Sequence, residues 1–360
     1  MIYGEIMSKV IVGMSGGVDS AVCAYLLKRS GHDVVGITLK TWISDGGKES
    51  RCCEISDAEK VCFVLDIPYY VVNCLDIFKK YVTEPFIRAY IDGKTPNPCT
   101  ECNYYVKWMG MLKAADDMGA AMIATGHYAN IKKLDNGRLT VSCAKFAAKD
   151  QTYMLYRLSQ EMLSRTLMPL GELSKDEVRR IAEFAHLPVA DKPDSQEICF
   201  VPDGDYAGYI EDNYDGEIPG PGNFVDEEGK ILGPHKGIIN YTVGQRKGLG
   251  IALGERSFVK EIRVKENEVV LSDNDSLFTD SFECSGLNFM GIEKPAVGAE
   301  ISCMCKVRYH HTPAGAVVKL TGEDTAEVIF SEPVRAVTPG QAAVFYDEEG
   351  NVLGGGTINR

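Results

Sequence analysis

Gly13-Met14-Ser15-Gly16-Gly17-Val18-Asp19-Ser20 is the stretch that decides how this chain folds. It follows a short apolar run, Val10-Ile11-Val12. It leads into Ala21-Val22-Cys23-Ala24-Tyr25-Leu26-Leu27, which reads as an amphipathic helix. A strand, a glycine turn and a helix start together make an anion site. The glycines let backbone N–H groups turn toward a phosphate, and the helix N-terminus adds partial positive charge. Ser15 and Ser20 offer hydroxyl donors, whereas Asp19 is out of place beside phosphate unless a metal or a fixed hydrogen-bond network accompanies it. Two glycines before a helix are often only a turn. Ser-Gly-Gly-x-Asp-Ser directly after a strand is far more specific.

Outward from this loop, strands are expected over 10–14, 34–39, 69–73 and 121–125. Helices are expected over 21–29, 56–65, 78–90, 103–118 and 175–186. Gly31 is placed to stop the first helix, and Ser174 with Glu177 forms a capping box for the last. Such alternation predicts an α/β fold with a parallel sheet covered on both faces, whose ligands bind at the carboxyl ends of the strands. Residues 13–20, Leu39 and Gly126 all follow expected strand ends, so one nucleotide can touch all three. After about Phe200 glycine and proline become dense, and short strands with hairpin turns follow, one hairpin centred on Lys265-Glu266-Asn267. Strands over 300–309, 314–320, 325–330 and 342–346 suggest a small barrel or sandwich. The expected division is an N-terminal catalytic domain (1–204), a small central domain (205–275) and a C-terminal β-barrel (276–360).

A chain of 360 residues can hold two or three domains. Its net charge of −13 argues against wholly non-specific nucleic-acid binding, although local basic patches can still hold RNA. The first residues lack a basic segment followed by an apolar run, and no stretch reaches the ~18 apolar residues of a membrane span. A cytoplasmic protein with no membrane partner is expected, with Met7 as a second candidate start. Its twelve cysteines are then expected as reduced thiols. Cys23, Cys62 and Cys143 sit in apolar patterns and read as core. Cys303 and Cys305 share one face of a strand and read as structural, while Cys52-Cys53 in the polar loop after Trp42 stay ambiguous.

Two other cysteines stand out. Cys102 lies in Thr95-Pro96-Asn97-Pro98-Cys99-Thr100-Glu101-Cys102-Asn103, at a helix entry. Cys199 lies in Asp194-Ser195-Gln196-Glu197-Ile198-Cys199-Phe200, at the end of the α/β half. A helix N-terminus lowers a thiol's pKa, and a thiolate or persulfide is a good nucleophile toward an activated carbonyl. Taken alone, Cys102 reads equally well as structural.

The loop has no G-x-x-x-x-G-K-[ST] pattern, so it is not a Walker loop. It resembles the pyrophosphate loop (PP-loop) of the ATP pyrophosphatases, an adenine nucleotide alpha hydrolase-like class. There the loop holds the leaving pyrophosphate while a substrate oxygen attacks the α-phosphorus. Further segments are collinear with the tRNA-specific 2-thiouridylases (the MnmA/TrmU family). They include Asn97-Pro98, Cys102-Asn103, Thr125-Gly126-His127-Tyr128-Ala129, Lys149-Asp150-Gln151-Thr152-Tyr153, Leu187 to Ser195, Ile198-Cys199-Phe200, Tyr241 to Gly250, Arg308-Tyr309 and Ala336 to Tyr346. The chain resembles that family from the first strand to the C-terminus.

The resemblance implies ATP-dependent 2-thiolation of the wobble uridine of tRNA, with Mg2+ accompanying ATP. It implies ATP on Gly13, Met14, Ser15, Gly16, Gly17, Val18, Asp19, Ser20, Leu39 and Gly126, with Asp19 taking part in catalysis. It implies a persulfide on Cys199, and Cys102 as the nucleophile that helps release the sulfur, leaving a Cys102–Cys199 disulfide. The target base would lie near Asn97, Pro98 and Cys99, with tRNA contacts at His127, Lys149, Asp150, Gln151, Arg308, Tyr309 and Gln341. Lys149 and Arg308 can neutralise phosphates and Tyr309 can stack on a base, although alone they read as ordinary surface residues. The implied partners are tRNAs for Lys, Glu and Gln and a sulfur donor, either a cysteine desulfurase or a relay protein.

One position departs from the family pattern. Well-known members have aspartate where this chain has Cys99. Cys99, Cys102 and Cys199 are therefore also candidate ligands of a [4Fe–4S] cluster with one open iron carrying sulfide. The other reading is that Cys99 merely replaces the aspartate, and the sequence leaves both open. No fourth ligand for zinc is evident. A remoter alternative is another PP-loop enzyme adenylating a small metabolite, which would need neither cysteine nor a β domain. A binding protein that has lost catalysis is a further rival, and the intact loop argues against it.

Overall fold

Strand β1 (Lys9–Gly13) has Val10, Ile11 and Val12 fully buried, as a central parallel strand covered on both faces requires. The structure is a computed structural model that describes residues 7–42, 54–193, 198–252, 254 and 256–359. Cys52 and Cys53, and Asp194 to Glu197, lie outside the described residues. The strands that follow are β2 (Asp33–Lys40), β3 (Tyr69–Asn73), β4 (Met122–Ala124), β5 (Asn130–Lys133), β6 (Leu139–Ser142) and β7 (Thr166–Leu167). Five of them form a parallel sheet in the order β3-β2-β1-β4-β7. The chain winds outward from β1 to β3 and then places β4 on the other side of β1. The carboxyl ends of β1 and β4 therefore flank the topological switch point. The short β7 and the antiparallel β5–β6 hairpin add to the four strands expected from the sequence.

Helices in chain order are α1 (Val18–Arg29), α2 (Ile55–Val64), α3 (Leu75–Phe78), α4 (Glu84–Ile91), α5 (Pro98–Glu101), α6 (Met109–Asp117), α7 (Gln160–Ser164), α8 (Lys175–Phe184) and α9 (Tyr206–Asn213). α1 begins at Val18, earlier than expected, so Asp19 and Ser20 lie in its first turn. Gly31, at φ +89°, follows its C-cap in the left-handed region. The Ser174–Glu177 capping box is formed in both directions. Two helices expected to be continuous are instead interrupted by π turns at Lys79–Thr83 and Cys102–Trp108. Pro85, at the start of α4, has no N–H for the carbonyl one turn back, which disfavours a regular α junction after the first π turn. Tyr81 and Tyr105, one from each π turn, stack with centroids 4.3 Å apart and planes 8° from parallel.

The chain divides into two compact units. The first comprises Met1–Val82, Cys99–Gly204 and Gly350–Val352; the second comprises Thr83–Pro98, Asp205–Glu349 and Leu353–Arg360. In the first, Val10, Val12, Val22, Cys23 and Cys62 are buried, Cys23 and Cys62 packing as small apolar side chains as expected. Cys143 is only half-buried, with its Sγ 3.9 Å from Thr152 Oγ1.

The second unit contains a four-stranded sheet of β8 (Gly222–Val225), β9 (Ile231–His235), β10 (Phe258–Arg263) and β11 (Glu268–Ser272), in the order β10-β11-β8-β9. The β10–β11 hairpin is the expected one, with Asn267 in the left-handed region at φ 52°. The remaining strands are β12 (Phe278–Phe289), β13 (Glu300–Lys306), β14 (Ala314–Leu320), β15 (Thr325–Arg335), β16 (Ala342–Tyr346) and β17 (Val352–Ile358). They close a barrel in the order β12-β15-β14-β13-β16-β17, which resolves the barrel-or-sandwich choice. β12 and β17 go beyond the expected strands. The Gly354-Gly355-Gly356 run in β17 has little strand propensity until neighbours hold it. Cys284 and Cys305 lie in the barrel core with Cys303 packed against it, and burial pushes the Cys303 thiol up to about 12. Among the described residues no helix is long and apolar enough to cross a membrane.

Candidate active site

The loop after β1 is shaped by its own side chains. Ser15 N–H donates to Ser20 Oγ at 3.2 Å, Gly17 N–H donates to Ser15 Oγ at 3.3 Å, and Ser20 Oγ donates to the Gly17 carbonyl at 3.0 Å. The two hydroxyls thus hold the turn rather than merely decorating it. Gly16 has φ +77°, and a Cβ there would lie 2.6 Å from the Glu54 carbonyl oxygen. Gly126, just beyond β4, approaches the loop equally closely. A Cβ there would stand 2.8 Å from Asp19 C and 2.8 Å from Ser20 N. Only glycine lets the end of β4 lie against the start of α1. Leu39 is buried near the end of β2, against Gly110 in α6.

Asp19 has a fixed network. Lys175 Nζ donates to both of its carboxylate oxygens, at 2.7 and 2.9 Å, and Tyr128 Oη donates to Oδ1 at 2.7 Å. A second lysine reaches the same loop. Lys192 Nζ donates to the Gly16 carbonyl at 2.9 Å and to Asp57 Oδ2 at 2.8 Å, and it is ion-paired with Glu54. Burial pulls the Lys192 pKa down, while the adjoining carboxylates favour its charged form. Neither lysine was singled out from the sequence. Lys175 carried a signal in hindsight, since a basic residue in the first turn of a helix opposes the helix dipole and needs an anionic partner.

Cys102 is buried and opens the π turn Cys102–Trp108. Both of its neighbours are tied to one stretch of chain. Glu101 is ion-paired with Arg157, whose guanidinium lies 5.5 and 5.4 Å from the ring centroids of Tyr104 and Tyr105. Asn103 Nδ2 donates to the Met154 carbonyl at 3.0 Å, while its buried Oδ1 has no hydrogen-bond partner. Cys199 is half-buried, and the next residue, Phe200, packs edge-on against Phe78 at 5.7 Å. Cys99 is exposed on α5. Cys99, Cys102 and Cys199 are present as thiols, so the disulfide implied by resemblance is not formed here.

Among the described residues no three His, Cys, Asp or Glu side chains gather to hold a metal ion. Nothing in the arrangement of the three cysteines supports the iron–sulfur alternative. Cys99 is exposed, Cys102 buried and Cys199 half-buried. A magnesium ion accompanying a nucleotide fits only as one carried chiefly by phosphate oxygens and water.

The residues expected to touch RNA have internal bonds. Gln151 Oε1 accepts from Tyr128 N–H at 3.0 Å, and Asp150 accepts from Ala144 N–H at 2.9 Å and Thr152 Oγ1 at 2.6 Å. Lys149 is half-buried at the end of a short 3-10 turn. Burial, reinforced by the nearby Lys107 charge, pushes His127 down to about 3, so its ring is neutral near pH 7, 2.9 Å from Thr125 Oγ1. In the second unit, Gln341 Nε2 donates to the Thr95 carbonyl at 2.8 Å, bracing the segment that leads to Asn97 and Pro98. Arg308 and Tyr309 follow β13, with Lys306 Nζ 5.6 Å from the Tyr309 ring centroid.

A parallel sheet with a phosphate-type loop at its switch point, accompanied by a closed β-barrel, defines a HUP-type nucleotide-binding enzyme. Residues 8–203 match the family model described as tRNA methyl transferase HUP domain, and residues 212–273 match the tRNA methyl transferase PRC-barrel domain. Residues 279–358 match the aminomethyltransferase beta-barrel domain. The chain is 53% identical over 359 residues to the tRNA-specific 2-thiouridylase MnmA of Lachnoclostridium phytofermentans, covering 98% of this chain and 99% of that one. It is 48% identical over 356 residues to the protein of the same name from Clostridium beijerinckii, covering 97% and 98%. The chain belongs to the tRNA-specific 2-thiouridylase family. The persulfide reading is the one these relatives fit. Among solved structures, the U34-tRNA thiolase NcsA from Methanococcus maripaludis with its [4Fe-4S] cluster overlaps 58% of this chain and 67% of its own, at TM-score 0.35 and 23% identity.

Proposed function

We propose that this protein thiolates C2 of the wobble uridine of tRNA, using ATP to activate the C2 oxygen. The observation that carries the reading is the loop 13–20 at the switch point, in the same compact unit as Cys102 and Cys199. Backbone N–H groups of the loop and the first turn of α1 hold the triphosphate, with Gly126 giving it room. The uracil O2 attacks the α-phosphorus, pyrophosphate leaves with the electron pair, and the N3 proton goes to water. The terminal sulfur of a Cys199 persulfide then attacks C2 and AMP departs. The Cys102 thiolate attacks Cys199 Sγ, the sulfur on C2 leaves with the electron pair, N3 takes a proton back from water to give the thiocarbonyl, and a Cys102–Cys199 disulfide remains for an external thiol to reduce. Magnesium would screen the triphosphate charge.

The target uridine lies near Asn97, Pro98 and Cys99 and must leave the anticodon stack to be reached. His127, Lys149, Asp150, Gln151, Arg308, Tyr309 and Gln341 contribute to the tRNA surface. A neutral His127 does so as an uncharged hydrogen-bonding group. The acceptors are tRNAs for Lys, Glu and Gln, the sulfur comes from a cysteine desulfurase or a relay protein, and the setting is the cytoplasm. The catalytic, central and barrel portions meet near residues 204 and 275.

The test is to incubate the protein with ATP, a persulfide donor and unmodified tRNA, and to analyse the nucleosides. 2-Thiouridine at the wobble position with stoichiometric AMP is expected. Pyrophosphate release driven as well by a small amine or acid as by tRNA would refute the reading.

A further inference from the structure

The loop 13–20 has no lysine of its own, yet two lysines reach it from 156 and 176 positions further along the chain. They are held differently. Lys175 is bound to both oxygens of Asp19 and has a side chain only 13% exposed. It is committed to shaping the loop. Lys192, with a side chain 24% exposed, instead divides its ammonium among Glu54, Asp57 and the Gly16 carbonyl. Its backbone is anchored independently, because Arg179 donates to the Ala190 and Lys192 carbonyls at 3.2 Å each. The main chain is thus pinned while the ammonium can change partners. That ammonium already sits 2.9 Å from the carbonyl of Gly16, a residue of the anion loop.

A triphosphate arriving on this loop brings several negative charges beside the carboxylates of Glu54 and Asp57. Like charges at such range repel, and a mobile cation between them relieves the conflict. We propose that Lys192 is a catalytic residue: its ammonium leaves Glu54 and Asp57 when ATP enters, binds the β- and γ-phosphates, and neutralises the departing pyrophosphate. In that step the uracil O2 bonds to the α-phosphorus and the bond to the bridging oxygen breaks. The electron pair leaves on pyrophosphate beside Lys192, which itself neither gains nor loses a proton. Glu54 and Asp57 act as a latch that stores the cation between turnovers. The inference rests on the adenylating reading of the loop given above.

The test is equilibrium binding of ATP, pyrophosphate and AMP to the full chain in magnesium buffer, without tRNA or sulfur donor. Lys192→Ala is expected to weaken ATP and pyrophosphate about 10- to 100-fold, the range of one charge-assisted contact, and to leave AMP unchanged. Lys192→Arg should recover most of the loss. The double variant Glu54→Gln, Asp57→Asn should tighten pyrophosphate, because the latch no longer competes. Equal loss for AMP and pyrophosphate in Lys192→Ala would mean that Lys192 only braces the loop and would overturn the proposal. So would unchanged pyrophosphate binding. If Lys192→Ala does not fold, the double variant decides alone, and unchanged or weaker pyrophosphate binding by it overturns the proposal. Because no tRNA is present, failure here leaves the thiolation reading standing, and absence of 2-thiouridine with these results intact would sink only that reading.

Discussion

Lys175 and Asp19, 156 residues apart in sequence, form a two-pronged ion pair at the start of α1, closed on its third side by the Tyr128 hydroxyl. This arrangement explains a carboxylate beside a phosphate loop. Asp19 is neutralised in place, so it can fix the loop without repelling the nucleotide. Asp19→Asn should slow tRNA-dependent pyrophosphate release by about 10²-fold, the usual cost of losing one preorganised electrostatic contact. tRNA binding, measured by filter retention, should stay within experimental error of the parent.

Cys102→Ser and Cys199→Ser should separate activation from sulfur transfer. Each is expected to lose about 10³-fold or more of 2-thiouridine formation, as loss of a nucleophile does. Both should still release pyrophosphate in the presence of tRNA. Loss of adenylation in either variant would place that cysteine in the nucleotide site instead.

Cys99 is exposed and does not gather with Cys102 and Cys199 around a metal. Cys99→Asp should therefore thiolate tRNA as well as the parent. Protein freed of iron by chelation should do the same, assayed anaerobically with a persulfide donor.

Gly126→Ala forces a methyl group to within 2.8 Å of the Asp19 and Ser20 backbone. Backbone cannot move aside as a flexible side chain does, so a loss of about 1–3 kcal/mol is expected. Urea unfolding should show the lower midpoint, and saturating ATP should not restore it fully because the same displacement disturbs the loop.

His127 makes stability depend on acid. In the folded protein burial and Lys107 hold its pKa at about 3, whereas in the unfolded chain it protonates near 6.5. The unfolded state therefore binds more protons between these values. The His127 contribution is complete above about pH 6.5 and is lost progressively as pH falls toward 3. Thermal melts of the parent and of His127→Gln from pH 7 to pH 4 should converge as the pH drops.

Much of the α/β half was legible because its signals are local. The capping box at Ser174 and Glu177 and the glycine stop at Gly31 each lie within one turn of chain, and both formed as expected. The hairpin at Asn267 was legible for the same reason. The interruptions at Lys79–Thr83 and Cys102–Trp108 were not, because apolar periodicity changes little when one residue is added to a turn. Lys192 was missed because a lysine in a loop looks the same whether it faces water or a distant carboxylate, and the one local signal of Lys175, a cation in the first turn of α8, does not name its partner.

The sequence by itself determined the strand–loop–helix around Ser15, the strand–helix alternation from β1 to β4, and the cysteines set in the family's motifs. All are encoded in contiguous residues, where backbone propensity and side-chain spacing act directly. Only the tertiary structure decided that β4 lies beside β1, that Tyr128, Lys175 and Lys192 converge on one loop, and that Cys99 and Cys102 face different surroundings. The first two depend on pairing and charge neutralisation between residues more than a hundred positions apart, which no local pattern carries.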